Sequence, residues 1–428
     1  MALRRVLTLS LVFLLSACAS FGSVAGQTAT PVASPGALPV WLQFGPDGVL
    51  MARAMTTGAC PDVVIDGRAV VMQPRGEADA DFAVIVCEAT VPFGATSANI
   101  NSVELPLPSG RLERIAVVGD TGCRLNDQEG KFQNCNDPAD WPFAQVAASV
   151  AAWQPDLIIH VGDYLYRESP CPDDMAGCSG SPSGDNWATW NADFVTPAAP
   201  LFTAAPLVMM RGNHEACARN PEGWFRFFDP RTYQAACQTY TDPYLVPLNG
   251  VMLAALDSAQ AADTKATPGE TKEYVREFGV IADTAPAGSW LVTHRPVWSV
   301  FSVENRDTEG ENAAYQSAIG DKLSANLALI LSGHIHIAEA LSFEQSSTLP
   351  PQLISGNSGT ALDPMPSGTP TGSQLDDPEL EDAEILSSFG FLTLEPGPTG
   401  WVATQRDASG EARVTCELGK DAANCTQP

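Results

Sequence analysis

Five apolar runs of strand length recur between residues 115 and 331, with stretches of helical character between them. A near-continuous apolar run indicates a strand that is buried on both faces, and alternation of such strands with helices indicates an α/β core. The sequence therefore predicts an α/β fold class for this part of the chain. The five runs are Ile115–Val118, Leu157–Val161, Leu207–Met210, Trp290–Val292 and Leu327–Leu331.

A helix is predicted between the first two runs. Asp137 is a suitable N-cap, and Pro138 would occupy the first helical position, where its missing N–H costs nothing. An apolar face follows at helical spacing, formed by Trp141, Ala144, Val146, Val150 and Trp153.

The sequence on either side of these runs is rich in short strands. Residues 39–111 contain short apolar segments broken by turn residues, which predicts a small β-rich N-terminal module. Residues 112–428 are predicted to form one catalytic domain that ends in closing strands, and the acidic segment 363–382 is predicted to be an exposed loop. The expected strands are Val63–Ile65, Ala69–Met72, Phe82–Cys87, Gly390–Leu394, Trp401–Thr404 and Ala412–Leu418.

The first residues have the features of an export signal. Arg4 and Arg5 precede a short apolar run, which predicts a signal peptide over residues 1–17. The sequence Leu15-Ser16-Ala17-Cys18 resembles the lipobox of bacterial lipoproteins, which implies a lipid on Cys18 and anchoring to the bacterial cell envelope, periplasmic or at the cell surface. The alternative is an ordinary cleavage site next to an unrelated cysteine. Residues 18–38 are expected to form a flexible tether.

The other ten cysteines agree with export, because an even number is typical of disulfide-bonded proteins of oxidising compartments. Nearest-neighbour pairing is the simplest hypothesis: 60 with 87, 123 with 135, 171 with 178, 217 with 237 and 416 with 425. A zinc site is the alternative, but the sequence has no C-x-x-C pair. Without the predicted signal peptide, 21 basic residues face 50 acidic ones. This charge argues against nucleic acid and anionic membrane surfaces as partners, and it leaves a small phosphorylated substrate possible.

A polar cluster follows each of the five apolar runs. Ligands bind beyond the carboxyl ends of strands in open α/β sheets, so these clusters should converge. They supply two Asp, one Asn, four of the five histidines of the chain and a Tyr, enough ligands for two metal ions. The clusters are Gly119-Asp120-Thr121-Gly122, Gly162-Asp163-Tyr164-Leu165-Tyr166, Gly212-Asn213-His214-Glu215, Thr293-His294-Arg295-Pro296 and Gly333-His334-Ile335-His336.

The five clusters, in this order, resemble the motifs of the calcineurin-like metallophosphoesterases over about residues 112–360. The tyrosine three residues after the second aspartate is similar to that of the purple acid phosphatase branch. The resemblance implies a four-layer α/β-β/α sandwich that hydrolyses phosphate monoesters with a metal-held hydroxide. A phosphodiesterase or nucleotidase on the same core is the alternative, and a non-catalytic metal- or partner-binding lipoprotein is the alternative of another class.

The resemblance also implies roles for individual residues. Fe(III) would be bound by Asp120, Tyr166 and His336, a divalent Fe, Zn or Mn ion by Asn213, His294 and His334, and both ions by Asp163. His214 would contact the substrate phosphate and assist the leaving group, with Asn213 and Arg295 as further substrate-binding candidates.

Several alternatives remain open at the sequence level. Tyr164 lies next to Tyr166, and if Tyr166 is not a ligand the metals are expected to be manganese or zinc. His214 could orient the ligands instead of acting as an acid, and Arg295 could form a structural ion pair. His160 matches no ligand position and is expected in the core. The segment 169–200 is interpreted as an insertion beside the site.

Overall fold

The computed structural model describes residues 38–108, 110–303, 306–319, 326–343, 349–365, 380–398, 400–419 and 422–427. The predicted signal peptide, Cys18 and nearly all of the predicted tether lie outside these residues, as does most of the segment 363–382. Within the described ranges, none of the helices combines the length and apolar character needed to span a membrane.

The elements alternate between strands and helices in the central part of the chain. The N-terminal strands are β1 (Val40–Phe44), β2 (Leu50–Thr56), β3 (Asp62–Ile65), β4 (Arg68–Val71), β5 (Gln73–Pro74), β6 (Ile85–Val91), β7 (Ala98–Ile100) and β8 (Val103–Glu104). Next come β9 (Ile115–Val118), β10 (Leu125–Asn126), β11 (Lys131–Phe132), α1 (Phe143–Trp153), β12 (Leu157–His160), α2 (Trp187–Trp190), α3 (Ala199–Phe202), β13 (Leu207–Met209) and α4 (Gly223–Phe227).

The second half begins with β14 (Tyr244–Leu248), β15 (Val251–Leu256), α5 (Pro268–Thr284), β16 (Ser289–Thr293), β17 (Trp298–Val303), β18 (Arg306–Glu311), α6 (Ala313–Ile319), β19 (Leu327–Ser332), β20 (Ala338–Phe343) and β21 (Gln352–Ser355). It ends with β22 (Leu380–Leu386), β23 (Gly390–Pro396), β24 (Trp401–Asp407), β25 (Ala412–Leu418) and β26 (Ala423–Thr426).

Two large sheets carry the fold. The order of the first is β26-β25-β24-β23-β9-β12-β13-β1-β2-β6-β5, and the order of the second is β14-β15-β16-β19-β21-β20-β22. Strands β9, β12, β13 and β1 are parallel neighbours, and so are β15, β16, β19 and β21. Each sheet therefore has a parallel centre whose carboxyl ends can carry a site.

Alternate side chains of the central strands pack on opposite faces, as the pleat of a strand requires. Val117 of β9 shares one buried apolar cluster with Val292 of the second sheet. Its neighbour Val118 packs with Val146 of α1 in a different cluster. A third cluster joins the second sheet to α5 through residues such as Phe278.

The structure confirms a mixed α/β fold with a β-rich N-terminal region. The five apolar runs of the central part form β9, β12, β13, β16 and β19. In the N-terminal region, β4-β3-β7-β8 form a separate small sheet, whereas β1, β2, β6 and β5 extend the eleven-stranded sheet. Position 111 therefore does not mark a border between sheets.

The predicted start of the first helix is wrong. Helix α1 begins at Phe143, after Pro142. Asp137 instead closes a preceding turn, in which its side chain accepts a hydrogen bond of 2.9 Å from Ala139 N. A helix running from Pro138 would place the ring of Pro142 against the carbonyl four residues earlier, so the helix begins only after this second proline.

The predicted exposed loop 363–382 is wrong at its C-terminal end. Strand β22 already begins at Leu380. At the other end, Pro364 and Met365 are exposed as predicted, although the side chain of Asp363 is only 28% exposed and lies 3.8 Å from His336 Nδ1. The sequence showed neither feature, because both depend on pairing with distant parts of the chain.

The nearest-neighbour pairing of the ten cysteines is confirmed. The disulfides are Cys60–Cys87, Cys123–Cys135, Cys171–Cys178, Cys217–Cys237 and Cys416–Cys425. Five disulfides indicate that the protein resides in an oxidising, extracytoplasmic compartment.

Helix α5 buries an acidic side chain. Its start is fixed by a capping box, in which Thr267 and Glu270 satisfy each other's backbone N–H groups. Glu277, nine residues after the first residue Pro268, has no exposed side-chain surface and lies 3.3 Å from Arg276 Nη2. Burial, with a further contribution from Asp257, raises the pKa of Glu277 to about 9.

This raised pKa predicts that Glu277 lowers the stability of the native state in a pH-dependent way. Between the unfolded value of 4.5 and about 9, the native state holds a proton that the unfolded chain has lost, so stability falls as pH rises through this window. Glu277→Gln should therefore raise the free energy of unfolding by about 1–3 kcal/mol at pH 8 and change it little at pH 4. Denaturant titrations at both pH values measure this. Glu273→Gln on the same helix is the control, and a gain of equal size at both pH values would contradict the prediction.

Candidate metal centre

The carboxyl ends of the parallel strands bring Asp120, Asp163, Tyr166 and His336 together. Tyr166 Oη lies 2.8 Å from Asp120 Oδ1 and 2.9 Å from Asp163 Oδ2. The same oxygen is 3.0 Å from His336 Nε2. Residues separated by up to 216 positions in the chain thus converge on one phenol oxygen.

The backbone at this site turns sharply. The backbone φ angles of Asp120, Asp163 and His334 are positive, at 56°, 60° and 73°. Residues other than glycine rarely adopt this region. Two glycines permit close approach. A Cβ at Gly212 would lie 2.0 Å from Asp163 Oδ1, and one at Gly162 would lie 2.6 Å from His294 Nδ1. Gly162 and Gly212, which precede the polar residues, are therefore required because a side chain at either position would clash.

A second group of ligand atoms lies beside the first. Asp163, His294 and His334 each place one potential ligand atom within 4.8 Å of the others. His294 Nδ1 is 3.0 Å from the carbonyl oxygen of Val161, so in the neutral ring Nδ1 carries the proton and Nε2 the lone pair. That Nε2 lies 2.9 Å from Asn213 Oδ1 and 3.2 Å from Asp163 Oδ2.

This arrangement fits a metal cation. Three electron-pair donors, from His294, Asn213 and Asp163, face one another at contact distance, which is unfavourable unless a positive charge lies among them. Although burial lowers the pKa of His294, the Asp163 carboxylate raises it to about 9. A proton thus occupies the position of the cation, and a divalent ion bound there would displace it.

His334 and His336 are in the form that binds metals. Burial lowers the pKa of His336 to about 3, although Asp363 opposes this. Burial, together with Arg295, lowers the pKa of His334 to about 4. Both rings are therefore neutral over the physiological range, which is the state of a metal-ligating imidazole.

His214 lies over the site. Its backbone N–H donates to Asp163 Oδ1 at 2.9 Å, and its ring centroid lies 3.7 Å from that of Tyr166. His214 Nδ1 is 3.1 Å from Glu168 Oε1, and Nε2 is 3.8 Å from Asp163 Oδ2. Although burial raises the pKa of Glu168, the contacts with His214 and Arg219 lower it to about 2.

The structure distinguishes Tyr164 from Tyr166, the two neighbouring tyrosines of which the sequence could not say which one faces the site. Tyr164 points away from the site: its ring stacks on His160 with centroids 3.9 Å apart, and its hydroxyl donates to Met210 O at 2.7 Å. His160 is buried in the core as predicted, 3.1 Å from Thr121 Oγ1. Tyr166 is therefore the tyrosine available to a metal.

Arg295 forms an ion pair with Asp263 and lies 3.0 Å from His334 Nε2. The structural role that the sequence allowed is thus present, and a role in substrate binding stays a prediction. Asp263 also lies 3.3 Å from His334 Nε2, so it belongs to the surroundings of the site.

Glu215 joins two of the polar clusters, a function that the sequence did not reveal. Its Oε1 accepts hydrogen bonds from the backbone N–H groups of Tyr164 and Leu165 at 2.9 and 3.1 Å. Its Oε2 accepts one from Gly212 N at 3.1 Å. The position of Glu215, directly after Asn213 and His214 in the cluster, was the available signal.

Sequence reasoning also missed the acidic and basic residues that surround the ligands. Asp363 Oδ2 accepts a hydrogen bond of 2.9 Å from His336 N, and Arg124 Nη1 lies 3.5 Å from His336 Nδ1. Glu168 contacts His214. None of these residues belongs to a motif that would have marked it.

Comparison with known proteins agrees with this geometry. Residues 113–338 match a family model described as Calcineurin-like phosphoesterase. Comparison with curated proteins gave no match. A purple acid phosphatase, PPD1, isolated from yellow lupin (Lupinus luteus) seeds, has a structure similar to this one, with a TM-score of 0.53, 12% identity, and coverage of 87% of this chain and 72% of that chain. The structure of PhoD has a TM-score of 0.54 and 12% identity, and covers 94% of this chain and 93% of that chain. At such identity these likenesses show a shared fold alone.

The converging ligand atoms predict stabilisation by a divalent cation. Mn²⁺ at about 100 times its dissociation constant should stabilise the native state by about 2.7 kcal/mol, which raises the melting temperature. In Asp163→Asn most of this increase should disappear, because a neutral amide replaces the central carboxylate. Asp156→Asn is the matched control, since Asp156 precedes β12 and binds Arg114 N at 2.9 Å. An equal Mn²⁺ response in both variants would disprove the assignment.

Proposed function

Because the chain belongs to the calcineurin-like phosphoesterases, we propose that it hydrolyses phosphate monoesters at a dinuclear metal centre of the purple acid phosphatase type. The observation that carries the proposal is the position of Asp163. One of its oxygens, Oδ2, lies 2.9 Å from Tyr166 Oη and 3.2 Å from His294 Nε2. A single carboxylate oxygen thus faces both sets of ligands, as a group that bridges two metal ions must.

Two ligand sets flank Asp163. Asp120, Tyr166 and His336 lie on one side, and a phenolate with two carboxylates favours a hard trivalent ion such as Fe(III). Asn213, His294 and His334 lie on the other side, and an amide with imidazoles suits divalent Fe, Zn or Mn. When bound, the two ions would lower the pKa of coordinated water from ~15.7 to about 7 and neutralise charge on the phosphoryl oxygens.

His214 would contact the substrate phosphate. Glu168 Oε1 lies 3.1 Å from His214 Nδ1, so Nε2 is the ring nitrogen on the side of the ligand atoms. A proton on Nε2 would be placed for donation to the leaving-group oxygen. Asn213, through its side-chain amide, and Arg295, if released from Asp263, would add hydrogen bonds to the phosphate.

The proposed setting is the bacterial cell envelope. Cleavage of a signal peptide over residues 1–17 would leave Cys18 to carry a lipid anchor, with residues 18–38 as tether, so the membrane contact would be through the lipid. Five disulfides support export. We further propose a β-rich module over residues 39–111, a catalytic domain over residues 112–428, and a four-layer α/β-β/α sandwich, which the three apolar clusters support. The partner would be a small phosphorylated substrate.

The purified, metal-loaded protein should hydrolyse 4-nitrophenyl phosphate. Asp163→Asn should lower kcat/KM by about 100-fold or more, because both ligand sets lose their shared carboxylate, whereas Asp156→Asn should remain active. The release of nitrophenol measures both. If bis(4-nitrophenyl) phosphate is hydrolysed faster than 4-nitrophenyl phosphate, the protein is a phosphodiesterase and the monoester proposal is wrong. If the metal-replete wild type hydrolyses neither ester, the proposed activity is wrong and the alternative of a non-catalytic binding protein is favoured.

Fe(III) bound to the Tyr166 phenolate would give a visible charge-transfer band. Tyr166→Phe should abolish the band, since the ring remains but the oxygen is lost. Tyr164→Phe is the matched control and should retain the band, because Tyr164 points into the core. Absorption spectra with iron analysis of the three proteins test this. A colourless iron-loaded wild type, or a band that persists in Tyr166→Phe, would exclude the ferric assignment.

A further inference from the structure

The segment 169–200, which the sequence analysis interpreted as an insertion beside the site, contributes a buried carboxylate next to the loops of Asp120 and Asp163. A π-helical turn, Asn191–Val195, places Asp193 there with no exposed surface. We propose that Asp193 is a positioning residue, which holds the loops of Asp120 and of Asp163–Tyr166 at the separation that the two metal ions require. This inference rests on the proposed function, since it concerns the same centre.

Both oxygens of Asp193 accept hydrogen bonds from those loops. Oδ1 accepts from Cys123 N at 2.8 Å, three residues after Asp120. Oδ2 accepts from the backbone N–H of the candidate ligand Tyr166 at 2.7 Å. One carboxylate thus joins the two loops directly, with one oxygen assigned to each.

Arg167 completes the surroundings of this carboxylate. Its Nε donates to Oδ1 at 2.8 Å and its backbone N–H donates to Oδ2 at 3.1 Å. All four of these groups donate to the carboxylate, as an ionised Asp193 requires. Although burial raises the pKa of Asp193, the nearly buried Arg167 guanidinium and the backbone N–H groups act to lower it. Hydrogen bonds to a charged acceptor are stronger than neutral ones, which suits a group that fixes geometry.

The two loops and Asp193 are closely packed at Gly122. A Cβ at Gly122 would lie 2.6 Å from Tyr164 O and 2.8 Å from Asp193 Oδ2. The neighbour of Asp193, Phe194, is buried in the aromatic core, with its ring 5.8 Å from Phe143 and 4.8 Å from Tyr164. The backbone next to Asp193 is therefore packed against helix α1 through Phe143 and against the Asp163–Tyr166 loop through Tyr164.

Asp185 provides a matched control on the same segment. It too is a largely buried carboxylate with several donors: Glu222 N at 2.7 Å, Gly223 N at 3.2 Å and Trp190 Nε1 at 2.8 Å. These bonds fix the start of α4 and not the loops of Asp120 and Asp163. Asp185→Asn therefore imposes the same chemical change without touching the centre.

The test uses Co²⁺ as probe, added to the full chain after removal of metals by chelation. Asn has the size of Asp but a single oxygen, so in Asp193→Asn one loop must face an NH₂ group. We expect Co²⁺ affinity to fall by about 10- to 100-fold, the usual effect of removing a group that orients ligands. The visible d–d spectrum of bound Co²⁺ should also change, whereas Asp185→Asn should retain wild-type affinity and spectrum.

A second variant covers the case in which Asp193→Asn fails to fold because Arg167 is left unpaired. In Asp193→Asn/Arg167→Gln the two amides can bond to each other, no buried charge remains, and the same loss of Co²⁺ affinity is expected. Wild-type affinity and spectrum in either folded variant would overturn the inference, and so would an equal loss in Asp185→Asn.

The outcomes also separate this inference from the proposed function. If the wild type hydrolyses phosphate esters and Asp193→Asn binds Co²⁺ normally, only the positioning role fails. If the wild type binds Co²⁺, the variant binds it weakly, and no ester is hydrolysed, only the proposed function fails. A wild type that binds no Co²⁺ would overturn both.

Discussion

Asp163 lies where the two large sheets meet, and its carboxylate contacts candidate ligands from both. Tyr166 follows β12 of the first sheet, and His294 follows β16 of the second. A carboxylate that is 1% exposed can stay ionised only if positive charge surrounds it. Although burial raises its pKa, His294 and His214 hold the pKa of Asp163 well below its usual range. This one buried charge therefore requires positive charge beside it, and the carboxylate in turn raises the pKa of His294 to about 9.

The loops around Asp163 adopt locally unfavourable backbone conformations that bring the ligand atoms together. Positive φ angles at Asp120, Asp163 and His334 are unfavourable for residues with a Cβ, and each such conformation costs on the order of 1–3 kcal/mol. The strain persists because the strands below are buried on both faces and the loops are tied together by side chains such as Glu215. A rigid two-sheet core thus stabilises a backbone geometry that the loops would not adopt alone.

Local patterns were sufficient to predict β9, β12, β13, β16 and β19 and the convergence of the polar residues that follow them. An apolar run records burial on both faces, and the parallel sheet then dictates where its carboxyl end lies. No local sequence pattern marks the side chains that act through residues distant in the chain. Asp193 and Asp363 meet the site only through the tertiary fold, and Glu168 and Asp263 were indistinguishable from surface acids. The union of β1 and β2 with the central sheet was hidden for the same reason, because pairing partners are not encoded in the strand itself.

The charge around the site has a consequence for substrate binding. Arg124, Arg219 and Arg295 lie near the ligands, but each forms an ion pair, with Glu129, Glu168 and Asp263 respectively. The chain as a whole has a formal net charge of −27, so its surface repels anions at long range. Because these three guanidinium groups are already neutralised, bound metal ions would supply most of the attraction for a phosphate group. Metal binding and substrate binding are thus two aspects of the same charge balance, centred on Asp163.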